Sequence, residues 1–237
     1  VNSTDKKTVR LILNGADIRC SWSAPILVEN AKKTVIVLAE DTENYVADGR
    51  IGLAEEAEVD EPNAVIFSRD DLTICGSGLL TVRGEVRDGI SSKDGLIIAG
   101  GSIDIQAIDD GIRGKDYLVI RGGDISIVAG VSAIIDGGEH VINSCDDAIH
   151  SNGTLAINGG TFVLSSSDDA IHSDCAVEIN GGDVEVTWCY EGIDSNTITV
   201  NAGTVRIVSS NDGMVAGEDI TIAGGVIDIT SSGDAIA

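Results

Sequence analysis

A right-handed parallel β-helix, an all-β solenoid with coils of about 22 residues, is the fold class this sequence predicts. Three observations predict it: a motif that recurs at nearly constant spacing, apolar residues that alternate within each repeat, and Gly-Gly pairs that recur at one point of the repeat.

The motif is an acid or polar pair, a small residue, then Ile or Met. Its copies begin at Arg87-Asp88, Asp109-Asp110, Val131-Ser132, Asp146-Asp147, Asp168-Asp169, Tyr190-Glu191, Asn211-Asp212 and Gly233-Asp234. Measured at the second position, successive spacings are 22, 22, 15, 22, 22, 21 and 22, so only the coil from Ser132 to Asp147 is short. Within each unit, runs such as Leu155-Ala156-Ile157 and Val184-Glu185-Val186 alternate with the strand period of two. One unit is too short to enclose a core, so neighbouring units must stack and share one interior, with the Ile or Met of each copy filling it. Gly-Gly at 100–101, 122–123, 159–160, 181–182 and 224–225 then falls in one column, where the chain turns a corner and positive φ is required.

A single domain over 1–237 is expected. Residues 87–237 form the regular coils, and 1–86 form looser ones around Thr8–Leu13, Thr34–Leu38 and Asp71–Ile74. Residues 39–62 carry nine acids and one arginine without a strand pattern, and read as an acidic excursion from the solenoid. The chain stops inside a motif at Asp234-Ala235-Ile236-Ala237, so a capping coil is expected beyond it.

Composition agrees. There are 29 glycines, 2 prolines and 3% aromatics, which suits short aliphatic strands joined by tight turns. Lys and Arg number 15 against 39 Asp and Glu, a formal charge of −24 that repels nucleic acid and anionic membrane surfaces. No apolar run is long enough to span a bilayer. Five cysteines without zinc spacing indicate neither a disulfide framework nor a structural zinc site. Cys145 and Cys189 share a column two coils apart, about 9.6 Å at the usual strand spacing, too far for a disulfide.

The acids point to a cation. Equivalent residues of adjacent coils lie about 4.8 Å apart, which puts Asp110, Asp147, Asp169, Glu191, Asp212 and Asp234 in one column and Asp109, Asp146 and Asp168 in the next. Calcium takes carboxylate oxygens at about 2.3–2.6 Å, so one Ca2+ between stacked carboxylates matches that spacing. The strongest cluster is expected at Asp146, Asp147, Asp168 and Asp169, continued by Glu191 and Asp194, with a second ion near Asp109 and Asp110. Turn chemistry explains single aspartates, but not tandem like charges repeated at one spacing. His150 and His172 follow acid pairs by three residues, and read as a ladder covering the turn or, less simply, as transition-metal ligands.

The segments Asp109-Asp110-Gly111-Ile112-Arg113-Gly114-Lys115-Asp116, Asp168-Asp169-Ala170-Ile171-His172-Ser173 and Tyr190-Glu191-Gly192-Ile193, with Val9–Gly15 and Asp70–Ile74, together resemble a family of bacterial carbohydrate-binding β-helix proteins. The resemblance implies a secreted or cell-surface, calcium-loaded β-helix similar to family 9 pectate lyases. It also implies binding of acidic polysaccharide such as polygalacturonate, and of cellulosic material. Ser132 and the short coil after it depart from the pattern.

Lyases of that kind eliminate across a uronate, with calcium neutralising the carboxylate and a Lys or Arg acting as base. Lys93 and Lys115, one coil apart with Arg87 and Arg113 nearby, make the 83–121 region the basic part of an acidic chain and the expected place for polyuronate. Either lysine could be a base, a polymer contact or a surface ion-pair partner. Neighbouring carboxylates favour the charged amine, so binding without cleavage is the leading expectation, ahead of a pectate lyase and of a passive calcium-rigidified scaffold. Trp188 and Tyr190 offer a small sugar-stacking face or close a coil corner. A monomer is expected.

Overall fold

The computed structural model describes residues 1–5, 7–49, 62–85, 87–130 and 146–237. Among these, all paired strands run parallel, in one 14-stranded and one 9-stranded sheet. The larger sheet is two faces of a three-sided coil. Early rungs supply them as separate strands, such as Ile149–Ser151 and Thr154–Ile157, whereas the later strands Ile171–Ile179, Glu191–Val200 and Asp212–Ile222 run through both. Strands such as Thr161–Ser165 and Asp183–Trp188 form the third face.

The alternation decides which side chains enter the interior. Ile90, Ile112, Ile149, Ile171, Ile193 and Met214 stack in register on one face, all with zero exposure. Leu155, Val177 and Ile198 do so on the second face, and Phe162, Val184 and Val205 on the third. Each such side chain removed from water contributes about 1.5–3 kcal/mol, and its cross-rung partners make the contribution cooperative. At the corner before the third face the second glycine of each pair has positive φ. Gly160 has φ 111° and Gly182 has φ 97°, and a Cβ on Gly182 would lie 2.9 Å from the Gly160 carbonyl oxygen.

The N-terminal part is more regular than expected. Thr8–Leu13 pairs residue for residue with Lys33–Leu38, which pairs in turn with Leu72–Gly76. The expected excursion over 39–62 is also corrected. Glu43–Asp48 is a strand of the third face, between Asp17–Cys20 and Leu79–Arg83. Its alternation is concealed because Asn44, a polar residue, points inward beside Val46. The Asn44 amide is satisfied by accepting from the Ala16 N–H at 3.0 Å and donating to the Leu79 carbonyl at 3.0 Å. Residues 50–61 lie outside the described residues.

So do Ser132 and Cys145, but the rungs on either side of 131–145 are described, and they touch. Ile112 pairs with Ile149, Ile120 with Ile157 and Ile127 with Leu164. The rungs that carry Asp110 and Asp147 therefore stack directly on one another, and the short coil expected from Ser132 to Asp147 lies, up to Cys145, outside the described residues. Among the described residues no helix is long and apolar enough to cross a membrane.

Candidate functional site

The corner that leads into Ile149–Ser151 and its stacked equivalents carries the acid pairs. The second acids form an inner column, linked by bonds from Gly111 N–H to the Asp147 carbonyl, Ala148 N–H to that of Asp169 and Ala170 N–H to that of Glu191. Asp212 follows Glu191 in register. Arg87, Asp109, Asp146, Asp168 and Tyr190 line an outer column.

Inner carboxylates are buried: Asp88, Asp110, Asp147 and Asp169 are at most 7% exposed. Burying a charge is costly unless it is hydrogen-bonded, and the stack supplies the donors. Asp110 Oδ1 accepts the Asp147 N–H at 3.2 Å, Asp147 Oδ1 accepts the Asp169 N–H at 3.1 Å, and Asp212 Oδ1 accepts the Asp234 N–H at 2.6 Å.

Three residues further on, a second row faces outward from the strands: Arg113, His150, His172 and Asp194 in register. Each basic member meets the acid of its own rung. Arg113 Nη1 is 3.3 Å from Asp110 Oδ2, His150 Nδ1 2.8 Å from Asp147 Oδ2, and His172 Nδ1 3.1 Å from Asp169 Oδ2. His172 Nδ1 is also 3.1 Å from Asp194 Oδ2, and its Nε2 is 3.2 Å from Asp174 Oδ1. The two imidazoles stack with centroids 5.0 Å apart, the ladder the sequence suggests.

Burial, reinforced by neighbouring carboxylates, pushes Asp110 and Asp169 up to about 6 and Glu191 up to about 7, while His150 and Arg113 oppose the rise at Asp110 and His172 opposes it at Asp169. Asp88 is driven well above the usual range for the same reason. The Asp169 hydrogen bond, followed by the other carboxylates around it, carries His172 up to about 10 against its burial. The charge arrangement thus favours an added positive charge.

A cleft of about 280 Å³ opens over this corner, bounded by Asp110, Asp146, Asp147, Asp168 and Asp169 together with Arg113, His150 and His172. Among the described residues, three trios offer ligand atoms within 4.8 Å of one another: Asp110, Asp147 and His150; Asp169, His172 and Asp194; His150, His172 and Asp174. These Asp/His clusters could hold metal ions, the first two around buried carboxylates and the third ending on exposed Asp174. Each trio includes a histidine, so the imidazoles stand among the carboxylates as direct partners rather than as a cover. Asp174 has no counterpart among the expected ligands. Its signal is its position two residues after His172, on the same strand face.

The basic residues divide. Arg87 Nη1 lies 3.5 Å from Asp109 Oδ2, and Arg113 is in the cleft. Lys93 and Lys115 lie past the far end of the three-residue strand Ile112–Gly114, one rung apart, where the Lys115 N–H bonds to the Ser92 carbonyl. Lys115 is exposed beside Asp94.

A second cleft, of about 490 Å³, lies along the corner where Trp188 and Tyr190 are each 53% exposed, among Ser209, Asn211, Thr230 and Ser232. Cys189, between the two aromatics, is buried, and burial pushes its thiol up to about 12.

This solenoid has relatives among known proteins. A family model described as carbohydrate-binding domain-containing protein matches residues 1–235. The chain belongs to that family. A family relative of the same description from Acetivibrio thermocellus is 40% identical over 97 residues, covering 41% of this chain and 34% of that protein, so the matched part spans about a third of the relative's length. Among solved structures, the gadolinium derivative of a polysaccharide lyase-like protein from C. thermocellum superposes with a TM-score of 0.70 at 30% identity, over 93% of this chain and 79% of that one. This carbohydrate-binding family member therefore has the pectate-lyase-like parallel β-helix.

Proposed function

We propose that the protein is a secreted or cell-surface, calcium-dependent binder of acidic polysaccharide of the polygalacturonate class that does not cleave it. The single observation that carries this reading is the carboxylate-lined cleft with Arg113 in its wall and Arg87 beside Asp109. An anionic polymer approaches such a surface only if a cation offsets the carboxylates, and the raised Asp110, Asp169 and Glu191 register how unfavourable their unscreened charges are. Asp146 and Asp168, one rung apart with Asp147 and Asp169 adjoining, offer the oxygen donors that calcium prefers. Bound there, calcium supplies charge to uronate carboxylates, while Arg113, Lys93 and Lys115 contact the polymer directly. Support also comes from the gadolinium derivative of the similar lyase-like protein, since a lanthanide is a hard cation with calcium's preference for oxygen.

A lyase is the second reading, favoured by that neighbour's lyase-like description and by an arginine inside the cleft. Lys115 is ill placed as a base, because it is exposed past the end of its strand and does not line the cleft. For neutral glucans such as cellulose, Trp188 and Tyr190 are the stacking surface, with hydroxyl and amide groups around them. Retention on immobilised polygalacturonate, with and without chelator, tests the main reading. Calcium-dependent retention without new ultraviolet absorbance supports binding, an absorbance gain makes the protein a lyase, and no retention leaves a scaffold.

A further inference from the structure

We propose that His150, His172 and Asp174 form a site for a late first-row divalent transition metal such as zinc, separate from the oxygen-only calcium site. The three side chains each bring a ligand atom within 4.8 Å of the others. They come from two adjacent rungs. His150 and His172 are register partners, and Asp174 lies two residues beyond His172.

Each ligand is held by a further group. His150 Nδ1 bonds to Asp147 Oδ2 at 2.8 Å and His172 Nδ1 to Asp169 Oδ2 at 3.1 Å, an arrangement that makes Nδ1 the donor and leaves the Nε2 lone pair for a metal. Asp174 Oδ2 accepts from Asn152 Nδ2 at 2.8 Å, which orients the carboxylate with Oδ1 toward His172 Nε2 at 3.2 Å. His150 Nε2 is buried and makes no hydrogen bond. A buried ring nitrogen without a partner is costly, and a metal ion at this point removes that cost.

Two imidazoles and one carboxylate suit zinc, nickel, copper or iron, whereas calcium takes an all-oxygen set. Three protein ligands also leave a fourth tetrahedral position for water or for a sugar oxygen of bound polysaccharide. The competing arrangement is a protonated His172 among Asp169, Asp174 and Asp194. A metal bound through Nε2 displaces the proton there, which leaves to solvent, and the dication then meets the same three carboxylates.

The test titrates zinc, and then cobalt as a visible-absorbing probe, into metal-free protein without a histidine tag and in saturating calcium. One zinc per chain at micromolar affinity or tighter is expected, with a tetrahedral cobalt spectrum that zinc displaces. His150→Gln and Asp174→Asn should each weaken zinc at least tenfold. Asp147→Asn, which keeps an oxygen for the Asp169 N–H but removes the carboxylate that accepts from His150 Nδ1, should weaken it about tenfold. Asp174 is exposed, so its variant tests the site even where the histidine variant fails to fold, and a thermal melt reports folding in each. No zinc binding in calcium, or zinc binding that folded Asp174→Asn leaves unchanged, overturns the proposal. Neither result touches the calcium reading, which pectin retention tests in calcium alone.

Discussion

The main-chain N–H of Asp169 donates to Oδ1 of Asp147 at 3.1 Å, so a carboxylate of one rung completes the backbone bonding of the next. The acid column is therefore part of the solenoid's own hydrogen bonding as well as a store of charge. Replacing Asp147 with Asn keeps an oxygen for that amide, whereas Ala leaves the amide buried and unpaired. Since both variants remove the same negative charge, Asp147→Ala should be less stable than Asp147→Asn by about 1–3 kcal/mol. Urea unfolding of the two proteins side by side measures the difference, and equal midpoints would show that the bond contributes nothing.

Stability without metal should fall as pH rises. Asp110 and Asp169 at about 6 and Glu191 at about 7 lie above their ordinary 3.8 and 4.5, so between pH 4 and 7 the folded protein holds more protons than the unfolded chain. His172, at about 10 against an ordinary 6.5, adds stability that is full below 6.5 and lost as pH climbs through 10. Both contributions have the same sign. In chelator, the melting temperature should be higher at pH 5 than at pH 8, and saturating calcium should narrow the gap. A melting temperature that increases from pH 5 to pH 8 in chelator would contradict the charge arrangement.

Gly182 tests the corner. At φ 97°, with the Gly160 oxygen 2.9 Å from where a Cβ would stand, Gly182→Ala is strained by its backbone and crowded by its neighbour. A loss of about 1–3 kcal/mol is expected, against a few tenths for Gly122→Ala, where a Cβ meets nothing within 4 Å and φ is not positive. Thermal melts of the two variants compare them directly.

Two surface substitutions separate the two kinds of sugar contact. Lys115→Ala removes an exposed charge, and should weaken polygalacturonate retention about two- to fivefold while leaving the melt unchanged. Trp188→Ala removes a half-exposed ring, and should lower retention on insoluble glucan by about fivefold or more with little effect on polygalacturonate. Affinity electrophoresis in gels containing each polymer distinguishes them. Parallel losses on both polymers would place the two sugars in one site.

The sequence by itself determined the solenoid, its alternating strands, the corner glycines and the two acid columns. Those features repeat with the rung, and a repeat of period 22 carrying a strand period of two leaves one way to bury Ile149, Ile171 and Ile193 together. Tertiary structure alone decided what crosses between rungs. It set Asp110 directly against Asp147 across 37 residues of chain, because stacking follows the fit of one rung on the next and ignores the length of the intervening segment. It made a strand of Glu43–Asp48, since the hydrogen bonds that let Asn44 point inward come from Ala16 and Leu79, distant in the chain. It also turned the imidazoles of His150 and His172 toward Asp147 and Asp169 and set Asp174 near both rings. One-dimensional spacing shows that such residues share a column, but which atom faces which depends on side-chain torsions and on the register between rungs.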